Sequence, residues 1–273
     1  MTEFARSSVI AHLEARRSSQ ENSCYRAHTH NAFSIGFIES GASNFAGMPT
    51  GPVRLEPGDV ILIPSGQVHA CNPLDGRWQY RMIHVDEAWL TSLSPQAGPA
   101  GLTASISVLR DPSLRPAVDA ATDAVFADRR ESELERAFSR LLSQLDAVLP
   151  ELRVAGSIEP ELASALYPAL RRLRDDATNP RLDDLADLIG MDRFQFIREM
   201  KRATGLSPLA WRQNTRILEA RRRLRAGESI ADTAHSLGFV DQSHFHRVFR
   251  AHVAASPGAY RRRRNFVQDP PTT

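Results

Sequence analysis

The chain has 273 residues, of which 42% are apolar and 24% charged, and its formal net charge at pH 7 is +2. This length suits two domains with sizeable cores, and the composition is typical of a soluble globular protein. The longest strongly apolar run, Val60 to Ile63, is too short to span a membrane, and the first twenty residues lack the apolar core of a secretion signal. We therefore expect a cytoplasmic protein and no membrane partner.

The charge is divided unevenly along the chain. Residues 160–273 contain 20 Arg and Lys against 13 Asp and Glu, a net charge of +7, whereas residues 1–159 contain 14 against 19, a net charge of −5. Positive charge concentrated in one half is what binding to DNA phosphates requires. The composition therefore favours a nucleic-acid-binding C-terminal half.

The first 110 residues predict an arm followed by a β-barrel. Residues 1–23 are polar, and the stretch from Arg16 to Ser23, rich in serine and arginine, predicts a mobile arm. From Tyr25 onwards the pattern changes to short alternating runs separated by Gly and Pro, which is typical of a compact antiparallel barrel. The predicted strands are His28–His30, Phe33–Glu39, Val53–Leu55, Asp59–Pro64, Gln67–His69 and Gln79–Val85.

Two stretches of this region resemble the cupin barrel. They are the His28-Thr-His30 triplet and the segment GDVILIPSGQVH, residues 58–69, which has the cupin spacing of Gly, Pro, Gly and His without a gap. Because His28 and His30 lie two apart on a strand, their side chains point the same way and could face a metal together with His69. Metal cupins carry a glutamate four or five residues after the second histidine, where this chain has Ser34 and Ile35.

Loss of that carboxylate lowers both the charge and the metal affinity of the site. We therefore predict no metal and no other cofactor, although three imidazoles remain a possible metal site in principle. Two other interpretations are open: histidines that are satisfied within the barrel, or histidines that line a pocket for an organic molecule.

The predicted helical segment, residues 111–150, carries an apolar seam. Its residues follow a 4-3-4-3 spacing, and they are Leu134, Phe138, Leu141, Leu145 and Val148. The seam could pack on the barrel or against the same helix of a second copy. Pro150, Gly156 and Pro160 then mark a linker, residues 151–159, and a further amphipathic helix runs from Leu162 to Arg174.

The segment from Ile230 to Phe249 predicts a helix, a tight turn and a second helix. Ser229 with Asp232 forms a capping-box pattern, Gly238 ends the first helix and Asp241 caps the second. The second helix holds three apolar residues in the core and presents a polar face of the kind that reads base edges. The apolar residues are Phe245, Val248 and Phe249, and the polar ones are Gln242, Ser243, His246, Arg247 and Arg250.

The same pattern occurs earlier, from Leu182 to Lys201. Gly190 matches Gly238 at an offset of 48 residues, whereas Phe196 matches Phe245 at 49, so the second turn is one residue longer. Any small helical domain could show one such pattern, but its repetition favours a pair of recognition helices. Between the two lies a predicted helix from Pro208 to Ala226, about 28 Å long. That length suits two recognition helices about one turn of DNA apart, roughly 34 Å.

Residues from about Pro160 to Arg264 resemble the double helix-turn-helix domain of AraC-type transcription regulators. The resemblance rests on GFVDQSHFHRVFR (residues 238–250), on SPGAYR (256–261) and on ATGLSPLAW (203–211). It implies a bacterial, sequence-specific regulator of promoter DNA that responds to a small molecule. The implied fold has two domains: an all-β cupin-like barrel with helices at its end, and then an all-α double helix-turn-helix domain at residues 160–265, followed by a disordered tail at 266–273.

The resemblance also assigns roles to residues. The predicted DNA-binding residues are Gln242, Ser243, His246 and Arg247 in the second helix-turn-helix and Arg193, Phe194, Ile197, Arg198 and Lys201 in the first. Phe194 and Ile197 cannot form side-chain hydrogen bonds, and they suit either thymine methyl groups or the core. The predicted effector pocket is lined by His28, His30, His69, Tyr80 and Met82, with His84 on the same strand face.

A homodimer through the helix at residues 131–149 is also expected. No catalytic residue is predicted. The alternatives are a metal-dependent cupin enzyme joined to a DNA-binding domain, and a DNA-binding protein with a vestigial barrel.

Overall fold

The computed structural model describes residues 2–21, 25–47, 51–74, 76–95, 98, 101–155, 160–176, 178–262 and 264–267. These residues form two compact units. The N-terminal unit comprises Met1–Tyr25, Thr29–Gly156 and Arg262–Thr273, and the C-terminal unit comprises Arg26–His28 and Ser157–Arg261. Within the described ranges, no helix is long and apolar enough to cross a membrane.

The N-terminal unit is built on two antiparallel sheets. The strands are β1 (Thr2–Arg6), β2 (Glu14–Glu21), β3 (Phe33–Ser40), β4 (Ser43–Ala46), β5 (Val53–Leu55), β6 (Val60–Ile63), β7 (Ala70–Pro73), β8 (Arg77–Val85), β9 (Ser105–Leu109), β10 (Leu152–Ala155) and β11 (Arg264–Val267). The larger sheet has the order β10-β9-β6-β3-β8-β2-β1-β11, and the smaller has the order β5-β4-β7. The predicted antiparallel, barrel-like architecture is confirmed.

Strand register places two different sets of side chains on the two faces of the larger sheet. Ala15, Ile35 and Ile83 lie on one face and are buried in the main hydrophobic core. Arg16 pairs with Met82, which in turn pairs with Gly36, and these residues lie on the opposite face. A Cβ atom on Gly36 would lie 2.8 Å from Ile61 Cγ2 and 3.1 Å from Met82 Cε, so glycine makes room for the methionine on that face.

Three helices cover the apolar face of the sheet: α1 (Glu87–Leu93), α2 (Arg115–Phe126) and α3 (Glu131–Ala147). The predicted seam of α3 lies here, since Leu134, Phe138, Leu141 and Leu145 are fully buried in the core that also contains the strands. The expectation that this seam pairs with a second copy is therefore wrong. Its apolar side chains already pack against the sheet of their own chain, and exposing them to form a dimer would open that core.

The prediction of a mobile N-terminal arm is also wrong, because residues of this segment form strands. Residues 2–6 and 14–21 form β1 and β2, and β2 pairs with both β1 and β8 inside the sheet. Phe4 and Ala15 are buried. The polar composition was misleading because Glu14, Arg16 and Ser18 alternate on a face that is buried as well.

The predicted linker and tail contain strands. β10 occupies residues 152–155 of the predicted linker and pairs with β9; Glu151 precedes the strand, and residues 156–159 lie outside the described residues. β11 pairs with β1 and covers the first two residues of the predicted tail, and residues 268–273 lie outside the described residues.

The C-terminal unit is helical, as predicted. Its helices are α4 (Pro160–Asp175), α5 (Leu182–Asp187), α6 (Arg193–Thr204), α7 (Pro208–Arg225), α8 (Ile230–Ser236), α9 (Gln242–Val253) and α10 (Pro257–Arg261). The helix pairs α5/α6 and α8/α9 form the two helix-turn-helix motifs, and α7 connects them and packs against both. Leu166, Leu185, Phe196 and Met200 form the core of the first motif.

Two arginine side chains of α7 form hydrogen bonds to α4, to the segment after it and to α10. The guanidinium of Arg212, a residue only 2% exposed, donates to three backbone carbonyls at and beyond the C-terminal end of α4: Leu173 at 2.7 Å, Asp176 at 2.6 Å, and Thr178. The Leu173 carbonyl lies in the last turn of α4, where a helix leaves its acceptors without intrahelical partners, and the other two belong to the segment that follows. Arg221 donates to the Tyr260 hydroxyl at 3.0 Å and thereby attaches α10.

Candidate DNA-binding surface and barrel interior

Each helix-turn-helix motif uses the same local signals. Gly190 and Gly238 adopt left-handed backbone angles, φ 68° and 70°, which end α5 and α8 without the steric cost that a side chain would bring. Asp192 caps α6 by accepting from the backbone N–H groups of Phe194 and Gln195, both at 2.8 Å. Asp241 caps α9 by accepting from the His244 N–H at 2.6 Å. The two turns therefore fix the start of each second helix.

The N-terminal cap of α8 differs in detail from the prediction. Ser229 accepts from the Asp232 N–H at 3.0 Å, as expected. The Asp232 carboxylate accepts from the Ser229 hydroxyl at 2.5 Å. Asp232 therefore bonds to the Ser229 side chain and not to its backbone N–H, and the two bonds together fix the first turn of α8.

The outer face of α9 carries most of the predicted polar readers. Gln242, Ser243 and Arg247 are exposed, and within the described part of the chain Arg247 makes no salt bridge. His246 is half-buried, and its Nε2 atom is buried without a hydrogen-bond partner among the described residues. That nitrogen cannot reach a base unless the side chain rotates. The exposed predicted base readers of α9 are therefore an amide, a hydroxyl and a guanidinium.

The outer face of α6 is chemically different. Phe194 is 70% exposed, and the Arg193 guanidinium lies 5.1 Å from its ring centroid. Ile197 is half-buried, between the two alternatives predicted for it. Arg198 is exposed and lies 3.5 Å from the Glu199 carboxylate. Lys201 is also exposed, so this face combines cations with one exposed aromatic ring.

Histidines cluster inside the N-terminal unit. The His30 ring lies 5.0 Å from that of His69 and 4.3 Å from that of His84, and nitrogen atoms of His30 and His69 are within 4.8 Å of each other. His69 Nδ1 lies 3.0 Å from the Gln67 carbonyl oxygen, and burial lowers the pKa of His69 to about 4. The ring is therefore neutral near pH 7, and its Nδ1 donates to the Gln67 carbonyl.

The other predicted pocket residues are placed as follows. Tyr80 is buried and Met82 half-buried, on the same strand face as His84. His28 belongs to the segment Arg26–His28 of the C-terminal unit; it is buried, and its Nδ1 lies 2.7 Å from the Arg26 carbonyl oxygen. Its role in a pocket stays a prediction.

Arg16 forms a second polar cluster that sequence reasoning missed. Its guanidinium donates to the Tyr25 hydroxyl at 2.9 Å and to Ser18 Oγ at 3.3 Å, and it lies 5.2 Å from the ring centroid of Tyr80. The Tyr25 and Tyr80 hydroxyls are 2.9 Å apart, and burial raises the pKa of Tyr80 well above its ordinary value. The sequence around residue 16 does not predict this cluster. Successive side chains of a strand point to opposite faces, and when the residues on both faces are polar the sequence does not show which face is buried.

The barrel donors do not fit a cupin metal centre. Ser34 stands at one of the two positions where metal cupins have a carboxylate, and its hydroxyl is hydrogen-bonded to His84 Nδ1 at 2.8 Å. The other position is Ile35, which is buried in the apolar core on the opposite face. Neither residue can replace the negative ligand.

A barrel-like unit joined to two helix-turn-helix motifs defines the class of two-domain transcription regulators. Residues 11–170 match the family model described as AraC-like ligand binding domain, and residues 185–263 match a helix-turn-helix domain model. The first match alone covers more than half of the chain. The chain belongs to the AraC/XylS family of transcription regulators.

Curated relatives support this assignment over most of their length. The chain is 27% identical over 237 residues to the HTH-type transcriptional regulator YbfI of Bacillus subtilis, covering 85% of this chain and 86% of the relative. It is 26% identical over 245 residues to the HTH-type transcriptional activator RhaS of Pectobacterium carotovorum, with 86% of each chain covered. The arabinose operon regulatory protein of Salmonella typhimurium is 26% identical over 219 residues, 75% of each chain.

Solved structures show the same fold. Vibrio cholerae ToxT superposes with a TM-score of 0.54 at 16% identity, with 96% of each chain covered. The unsaturated fatty acid-bound form of wild-type ToxT gives a TM-score of 0.55 at 15% identity, covering 92% of this chain and 95% of ToxT. Sequence identity at this level supports the fold and says nothing about the ligand of this chain.

Proposed function

We propose that the chain is a cytoplasmic, ligand-responsive regulator that binds double-stranded promoter DNA through α6 and α9. The observation that carries the DNA-binding part is the pair of capped second helices whose outer faces carry exposed cations and hydrogen-bonding groups. The net charge of +7 in residues 160–273 supports it, because phosphate contacts supply most of the affinity for DNA. Arg247 and Gln242 are the proposed main base readers of α9, and Arg198 that of α6.

The proposed effector site is the barrel interior between β3, β8 and the loop before β7. The donors and acceptors there are imidazoles, tyrosine hydroxyls and the Arg16 guanidinium, arranged among aromatic rings. Such a set suits a small organic molecule that carries hydroxyl or carboxylate oxygens on an apolar body. The fatty acid bound by ToxT is a molecule of that kind, which supports this choice of chemical class.

A thermal-shift screen of metabolites on the full chain tests the effector proposal. A ligand at 100 times its dissociation constant should stabilise the protein by about 2.7 kcal/mol. His30→Ala and His69→Ala should still bind selected DNA but lose both the thermal shift and the ligand effect on DNA affinity, which is typically about 5- to 150-fold.

His12→Asn is the matched control, since His12 is exposed at a turn with φ 61°, a conformation that asparagine tolerates. A full ligand response in both barrel variants would contradict the pocket assignment.

Two further expectations stay predictions. A homodimer would have to use a surface other than the buried seam of α3, and sedimentation of the full chain measures its presence. An enzyme built on a cupin metal centre would need the carboxylate that Ser34 and Ile35 do not supply. Stoichiometric metal in protein purified without added chelator would revive that alternative.

A further inference from the structure

The turn of the second helix-turn-helix contains one residue more than the first. In the first motif the sequence from the left-handed glycine to the capping aspartate is Gly190, Met191, Asp192. In the second it is Gly238, Phe239, Val240, Asp241. Because both glycines have the same backbone conformation and both aspartates cap the next helix, the added residue lies between Phe239 and the cap. That residue is Val240.

The residues on both sides of Val240 are fixed. Phe239 is buried, and its ring lies 5.0 Å from that of Phe245. The Arg216 guanidinium lies 5.8 Å from the Phe239 ring centroid, and its Nη1 donates to the Gly238 carbonyl at 3.4 Å. On the other side, Asp241 is fixed by its capping bond to the backbone N–H of His244. The turn therefore holds Val240 in a defined position.

Val240 is nevertheless 88% exposed, the highest exposure of any large apolar side chain described in the C-terminal unit. It lies two residues before Gln242, at the N-terminal end of α9. Residues at this end of a recognition helix contact base edges in the major groove. The apolar group that the major groove offers is the 5-methyl group of thymine, which apolar side chains contact.

We propose that Val240 is a specificity-determining DNA contact that packs against a thymine methyl group at the edge of the site read by α9. The inference rests on the proposed function, because it requires α9 to lie in the major groove. Phe194 presents an exposed apolar group on α6, where the shorter turn has no residue equivalent to Val240. Each helix-turn-helix motif then combines one exposed apolar contact with one proposed base-reading arginine.

Removal of the methyl group from DNA tests the contact directly. Binding sites are first selected from random duplex DNA with the full chain, and the segment read by α9 is identified as the one whose base preference changes in Arg247→Ala. Each thymine of that segment is then replaced in turn by deoxyuridine, which lacks the methyl group and keeps the hydrogen-bonding edge. One replacement should weaken wild-type binding about three- to fourfold, corresponding to the roughly 0.8 kcal/mol of a buried methylene.

Val240→Ser should bind thymine and deoxyuridine at that position equally, whereas Val240→Ile should keep the wild-type preference. Tyr167→Ser is a matched control, because Tyr167 is an exposed apolar side chain on α4 and should leave the preference unchanged.

Three results would overturn the proposal: equal deoxyuridine sensitivity in wild type and Val240→Ser, no sensitivity at any thymine, or a selected α9 segment without thymine. In each of these cases DNA binding by α9 would still stand. Failure of the wild-type chain to select any DNA would instead overturn the proposed function itself.

Discussion

The polar groups of the barrel interior and those of the DNA-binding face differ in their access to water. In the barrel, His69, Arg16 and Tyr80 are buried and hydrogen-bonded to neighbouring protein groups. On α9, Gln242 and Arg247 are exposed to solvent. A buried polar group contributes to folding stability through its protein partners, whereas an exposed one contributes little until a ligand arrives. Substitutions in the first set should therefore change stability, and those in the second should change DNA affinity alone.

Arg212 provides the strongest test of that contrast, because it is a buried polar group within the DNA-binding unit. Arg212→Met should lower the free energy of unfolding by about 3 to 5 kcal/mol, since three backbone carbonyl oxygens lose a charged donor and a hydrogen bond to a charged group contributes about 1.5 to 3 kcal/mol. Urea unfolding followed by Trp211 fluorescence measures the change.

Arg222→Met is the control on the same helix. Arg222 is exposed and pairs with Glu219, so its loss should leave the unfolding transition in place. If both variants unfold at the same urea concentration as the wild type, burial would not be the property that distinguishes the two sets of polar groups.

The second test uses the titration of His69. The folded-state pKa of about 4 lies below the ordinary value of 6.5, so between these values the unfolded chain binds a proton that the folded chain does not. The stability contributed by neutral His69 is complete above pH 6.5 and is lost as pH falls towards 4. The total loss is about 3 kcal/mol, from 1.36 kcal/mol per unit of pKa difference.

His69→Gln should lose this contribution, so the stability difference between variant and wild type should change between about pH 8 and about pH 4. Trp78 and Trp89 lie in the N-terminal unit and report on its unfolding by fluorescence. A difference that is constant over that range would show that His69 does not titrate as a buried group.

The smallest expected effects come from the exposed arginines. Arg247→Ala should weaken binding to selected DNA by about 1 to 3 kcal/mol and relax the preference at one base pair, without a change in melting temperature. Arg198→Ala should have a smaller effect, because Arg198 lies close to the Glu199 carboxylate in the free protein. Competition binding on single-base operator variants measures both. Equal weakening on all sequences would identify a phosphate contact instead.

The helix-turn-helix motifs were predictable from sequence because their signals are local. Gly190, Asp192, Gly238 and Asp241 each determine a backbone conformation or a cap within four residues of their own position. Even the extra residue in the second turn was visible as a change of offset. The exposure of the Val240 side chain could not be predicted from sequence, because it depends on which neighbouring side chains the turn buries.

The barrel was predictable only as a class. Alternation identifies β3, β5, β6 and β8, but it does not identify β2, because Glu14, Arg16 and Ser18 occupy one of its two buried faces. The cupin spacing predicts that His30 and His69 lie together, whereas the contact of His30 with His84 and the Arg16 cluster depend on how the strands pair. The α3 seam was visible as a stripe, but a stripe does not state whether its partner is the same chain or another.

The pairing of β11 with β1 has a practical consequence for dissecting this protein. Because β11 belongs to the N-terminal unit, the chain leaves that unit after β10, forms the C-terminal unit and returns. A fragment that ends near residue 156 would lack β11 and leave β1 as an open edge with unpaired N–H and C=O groups, which favours aggregation.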